Sequence, residues 1–139
     1  MELSGFEYPY CTEAHTTLKN LLAKYPNQFT LVYQNFLLIQ IHDQALPAAK
    51  ASWAAYQQGK FWPYHDAFFT NQQQLGETFY LDIAKNLNLD LAKFKLDVDL
   101  ANKAIQKHLQ LVYKLGLSNT HYFIINSKIF LHSSSAFRN

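Results

Sequence analysis

Four residues, Tyr8-Pro9-Tyr10-Cys11, have the spacing of a reactive site but only one of its two sulfurs. A Cys-x-x-Cys pair where a strand hands over to a helix carries out thiol–disulfide exchange. The first thiolate attacks a disulfide, and the second cysteine then resolves the mixed disulfide. The helix N-terminus favours the thiolate through its dipole and free N–H groups. Here Tyr8 stands at the first position, and Cys11, at the second, is the only cysteine of the chain. A phenol titrating near 10 is a poor nucleophile at neutral pH and forms no disulfide. Cys11, about one turn into the helix and facing inward, is expected to be a small buried hydrophobe with an inert thiol. Tyr8 is expected to fill the mouth of the site with its hydroxyl in water.

The histidines are the other candidates for chemistry. His15 follows Cys11 by four residues and shares its helix face, so the two could bind a metal or activate a thiol. Two ligands on one helical turn do not make a site, and no third stands at a matching spacing, so no metal is expected. His65-Asp66 could be a base and its orienting carboxylate, but no nucleophile adjoins them; a packing role fits better. His42 reads as a loop or cap residue, and His108 and His132 read as surface.

Helix and strand signals must position these groups. Glu2-Leu3-Ser4 is a short extended segment, and Pro9 suits the first turn of a helix that Pro26-Asn27 ends. Phe29 to Phe36 is β-rich. A second helix begins near Pro47, runs through an alanine-rich stretch and ends at Gly59. Further helices are expected at Trp62–Thr70, Thr78–Leu87 and Leu91–Asp97. A longer one should cover Asp99–Leu115, with Ala101, Ile105, Leu109, Val112 and Tyr113 on one face. Tyr122–Ile125 and Ile129–Leu131 read as a hairpin around Asn126-Ser127-Lys128. The cluster Tyr56, Phe61, Trp62, Tyr64, Phe68 and Phe69 reads as the core of the helical block. A strand–helix–strand unit favours parallel pairing with a right-handed crossover.

The 139 residues suit one domain, and the formal net charge of +2 is too weak a field to suggest nucleic acid. No apolar run is long enough to span a membrane, and no leader is visible, so the chain as written reads as cytoplasmic.

Four stretches in this order resemble the DsbA family of thioredoxin-fold proteins. They are Ser4-Gly5-Phe6-Glu7-Tyr8-Pro9-Tyr10-Cys11, Phe36-Leu37-Leu38-Ile39-Gln40-Ile41-His42, Ala54 to Phe69 (AAYQQGKFWPYHDAFF), and Gly116-Leu117-Ser118-Asn119-Thr120-His121-Tyr122-Phe123. The resemblance implies an α/β thioredoxin-like fold. Residues 1–42 and 116–139 would form the thioredoxin core, and 43–115 a helical insertion. It also implies a first strand shortened at Met1 and a missing last helix. The implied activity is thiol–disulfide oxidoreduction on polypeptide substrates, with no cofactor. Pro9, Tyr10, Thr120 and His121 match positions that meet substrate.

The departures weigh against that activity. Tyr8 replaces the attacking cysteine, which predicts dithiol chemistry that is absent or strongly impaired. His121 replaces the family's cis-proline, Leu37 another proline, and Gly5 an acidic residue. A cis bond outside proline costs about 2.5–4 kcal/mol, so Thr120–His121 is expected to be trans. The alternative is a non-catalytic peptide-binding or remnant protein that keeps the fold. A shortened central strand could be completed by a second copy, giving a homodimer. The family usually works outside the cytoplasm, so a lost leader would change the localisation.

Overall fold

The short extended segment Glu2–Ser4 forms β1 and leads into helix α1, Pro9–Lys24. Pro9 is the first helical residue, where a missing N–H leaves no broken bond. The structure, a computed structural model, describes residues 2–4, 9–28, 30–35, 44–117, 122–125 and 127–131, with main chain only at 3–4, 9–12, 34–35, 72 and 130–131. Past α1, Asn27 turns the chain at φ 67°, a left-handed conformation that asparagine tolerates. Strand β2, Tyr33–Asn35, then runs parallel to β1, with Glu2 opposite Tyr33 and Ser4 opposite Asn35. This is the expected parallel unit.

The ladder is shorter than the β-rich run Phe29–Phe36 suggested. Among the described residues three of β1 pair with three of β2, and residues 30–32 approach the strand without joining it. One further bond, from the Glu2 N–H to the Val32 carbonyl at 2.7 Å, extends the contact. Phe29 and Phe36 lie outside the described residues.

Five helices follow: α2 (Ala45–Tyr56), α3 (Phe61–Thr70), α4 (Glu77–Asn86), α5 (Leu91–Leu100) and α6 (Asn102–Lys114). The hairpin β3 (Tyr122–Ile125) and β4 (Lys128–Leu131) then completes a sheet in the order β2-β1-β3-β4. β1 is inside this sheet, parallel to β2 and antiparallel to β3. Lys128 belongs to β4, paired with Ile125, rather than to the turn.

α2 explains how the helical block packs. Ala48, Ala51, Ala54 and Ala55 face a core of Tyr64, Phe68, Tyr80, Ile83 and Phe94. Ala45 and Ala49 face a second core with Ala101, Ile105 and Leu109. Alanines on these two faces of α2 let the neighbouring helices approach closely. The stretch expected as one helix from Asp99 is split: α5 runs to Leu100, and α6 begins at Asn102. The break at the fully buried Ala101 lets Phe94 face one core and Ile105 the other. Asp90 caps α5, accepting a bond from the Lys93 N–H at 3.0 Å, and the Gln58 side chain holds both main-chain groups of Asp90.

Four residues are placed differently from the sequence expectation. Tyr56 is 62% exposed and Trp62 41%, so neither belongs to the aromatic core. Tyr113 is 77% exposed, off the buried face of α6. His108 is half-buried rather than on the surface. Burial holds its pKa below the ordinary 6.5. The unfolded chain therefore takes up a proton at His108 before the folded one does. The resulting stability is complete above pH 6.5 and declines as the pH falls toward the lowered folded value. Thermal melts should accordingly lose less on acidification below pH 6.5 in His108→Gln than in the native chain; equal losses would refute the point.

Candidate functional site

Helix α1 carries Pro9, Tyr10 and Cys11 in its first turn, as the spacing predicted. The side chains of these three, and all of Tyr8, Thr120 and His121, lie outside the described residues. The cis-or-trans expectation at Thr120–His121 lies there too, as do His42 and His132.

One turn further along α1, the structure makes a cluster that the sequence hid. His15 packs against α3, where His65 and Asp66 adjoin each other. His15 Nε2 lies 3.5 Å from Asp66 Oδ1, and His65 Nδ1 lies 3.3 Å from the same oxygen. Lys19, one turn beyond His15, donates to the other carboxylate oxygen, Oδ2, at 2.9 Å. The two imidazole centroids are 5.1 Å apart. His65 is 1% exposed and sits among the rings of Tyr33, Phe61, Trp62 and Phe69, with centroids 4.8–5.5 Å away. The His15 ring stacks on Phe69 at 4.9 Å. These neighbours leave little room for either imidazole to turn.

The charges follow from that packing. The bond with His65 and the ion pair with Lys19 hold the Asp66 carboxyl down to about 2, despite partial burial. It is therefore ionised across the working pH range. Burial, with help from His65 and Lys19, pushes His15 below its ordinary value, outweighing the pull of Asp66 and Glu2. His15 is thus predominantly neutral at pH 7.

Glu2 is the residue that sequence reasoning passed over. Its carboxyl is fully buried in the middle strand of the sheet, and its field reaches His15. An acidic residue in a strand next to a candidate reactive turn was the available signal.

Two grooves flank this region. One, of about 480 Å³, is bounded by His15, His65 and Asp66 with Leu18, Leu22 and Leu31. The other, of about 550 Å³, lies between the approach to β2 and helices α2 and α3. Val32, Tyr56 and Trp62 stand exposed along it.

A β-α-β unit, an antiparallel hairpin beside it and a helical block between the halves define a thioredoxin-like fold with an inserted helical subdomain. The sequence profile of the family described as Thioredoxin matches residues 1–138, and the chain belongs to that family. Its structural neighbours are DsbA-family thiol–disulfide oxidoreductases. It is 28% identical to a thioredoxin-like oxidoreductase from Silicibacter pomeroyi, with a TM-score of 0.82 over 94% of this chain and 75% of that one. The thiol-disulfide exchange protein alpha-DsbA2 of Wolbachia pipientis, 21% identical, shares the fold at a TM-score of 0.78 over 94% of this chain and 71% of that one. Among curated proteins, the chain is 36% identical over 95 residues to the Na(+)/H(+) antiporter NhaA 3 of Salinispora tropica. That match spans 68% of this chain but 14% of the antiporter. Among the described residues, no helix is long and apolar enough to cross a membrane.

Proposed function

We propose that this chain is a DsbA-like thioredoxin-fold protein in which dithiol exchange is lost or severely reduced. The observation that carries the reading is the cysteine count. Two sulfurs are needed to attack and then resolve, and the chain has one, Cys11, in the first turn of α1. A single thiol can form a mixed disulfide but has no internal partner to release it. The test is insulin reduction, or oxidation of a dithiol peptide, by the native chain beside Tyr8→Cys. Native turnover above the uncatalysed rate would overturn the proposal.

A second reading, retention of polypeptide binding, has its own support. The groove beside β2 is walled by apolar residues, and Trp62 and Tyr56 protrude at its edge. Aromatic side chains with one wet face suit an extended apolar segment, and affinity of this kind needs no sulfur. Titration with an unfolded, cysteine-free polypeptide should quench tryptophan fluorescence in the native chain and weaken in Trp62→Ala. An unchanged affinity in that variant would remove the groove from the reading.

A further inference from the structure

We propose that His15, His65 and Asp66 form a binding site for a divalent first-row transition-metal ion of the Zn²⁺ class. The proposal uses no sulfur, so it stands or falls independently of the redox reading.

Geometry carries it. One nitrogen from each imidazole and one carboxylate oxygen lie within 4.8 Å of one another. The two resolved separations, 3.5 Å and 3.3 Å, both end on Asp66 Oδ1. Both exceed the about 2.7–2.9 Å of a short charge-assisted hydrogen bond, the 3.3 Å contact from His65 being a long one. They match the edge of a coordination tetrahedron: with metal–ligand bonds of about 2.0–2.1 Å, adjacent ligands stand about 3.4 Å apart. His65 and Asp66 are neighbours on α3, and the packing of α1 on α3 sets the position of His15 against them, with no loop residue involved.

The chemistry of the donors agrees. Two imidazoles and a carboxylate are a borderline set that suits Zn²⁺, Co²⁺ or Ni²⁺ over Ca²⁺ or Mg²⁺, which prefer oxygen alone. Lys19 holds Oδ2 and so presents Oδ1, the oxygen nearest both imidazoles, to the ion. Asp66 is partly exposed toward a groove of about 480 Å³, which leaves an entry path and room for a fourth ligand from water.

The experiment is metal titration of the tag-free chain, with Zn²⁺ by calorimetry and Co²⁺ by visible absorption. One ion should bind per chain, and Co²⁺ should give d–d bands without a thiolate charge-transfer band. Groups that merely support a ligand are worth roughly 10- to 100-fold in metal affinity. Loss of a ligand in Asp66→Asn or His15→Gln should therefore weaken Zn²⁺ binding by at least roughly tenfold. Imidazole ¹H–¹⁵N spectra of the native chain provide a readout independent of the variants: Zn²⁺ should shift the His15 and His65 signals. Absence of binding, binding unchanged in both variants, a thiolate band from Cys11, or unmoved His15 and His65 signals would each overturn the site.

Discussion

Tyr8→Cys is expected to create thiol–disulfide oxidoreductase activity where the native chain has none above background. The substitution supplies the missing sulfur one residue ahead of α1, which begins at Pro9. At that place the helix's free N–H groups and dipole lower a thiol's pKa from about 8.5 into the range of roughly 3.5–7.5. At pH 7 the thiolate share would then rise from a few per cent to a substantial part of the total. A free phenol, with an ordinary pKa near 10, is about 0.1% ionised at the same pH, and a phenol forms no disulfide. Insulin reduction or dithiol-peptide oxidation measures the gain. The double variant Tyr8→Cys with Cys11→Ser should accumulate mixed disulfide without turning over, because the resolving sulfur is gone. If Tyr8→Cys alone remains silent, adding His121→Pro tests whether the loop at Thr120–His121 also limits the reaction. Activity in the native chain equal to that of Tyr8→Cys would sink the one-sulfur argument.

Phe68→Ala should produce the largest loss of stability in the helical block. Phe68 is fully buried on α3 and packs against the rings of Tyr64 at 4.9 Å and Tyr80 at 5.3 Å. Truncating a phenylalanine in such a core costs about 3–5 kcal/mol, from lost transfer energy and the cavity left behind. For a domain of this size, a loss of that order lowers the melting temperature by roughly 10–20 °C. The damage would not stay local. Tyr64 donates its hydroxyl to the Tyr80 carbonyl at 2.7 Å, and Tyr80 donates in turn to the Gln44 side chain at 2.8 Å. A collapse toward the Phe68 cavity would disturb both bonds, which tie α3 to α4 and to the start of α2. Calorimetry or circular-dichroism melts measure the shift. A fall of only a degree or two would mean that the site relaxes far more freely than its complete burial implies. Trp62→Ala is the internal contrast: Trp62 is on the same helix but 41% exposed, and its truncation should cost much less.

Local sequence was enough to locate most elements. The proline at the start of α1 and the glycines after α2 and α6 are boundary signals that depend only on the backbone. Gly59 and Gly116 do adopt left-handed φ values, 70° and 66°. The hairpin was legible from its run of apolar residues on either side of a short polar turn. The start of β2 at Tyr33 was not legible, because a strand begins only where a partner lies beside it. The break at Ala101 was not legible either, because apolar spacing continues through it and only the position of two separate cores requires the turn.

The chain's own order of residues determined its thioredoxin-like class and its single sulfur, since spacing, turn residues and a missing cysteine can be read without neighbours. Tertiary structure alone decided what the remaining polar groups can do. His15 and the pair His65-Asp66 are fifty residues apart, and nothing in their spacing links them; the packing of α1 on α3 brings their ligand atoms within 4.8 Å. Exposure was decided in the same way. Tyr56 and Trp62 belong to the same aromatic run as Tyr64 and Phe68, yet the direction each takes from its helix sets two in water and two in the core. Composition records how apolar a segment is, whereas the packing of one helix against another decides which of its faces meets a neighbour.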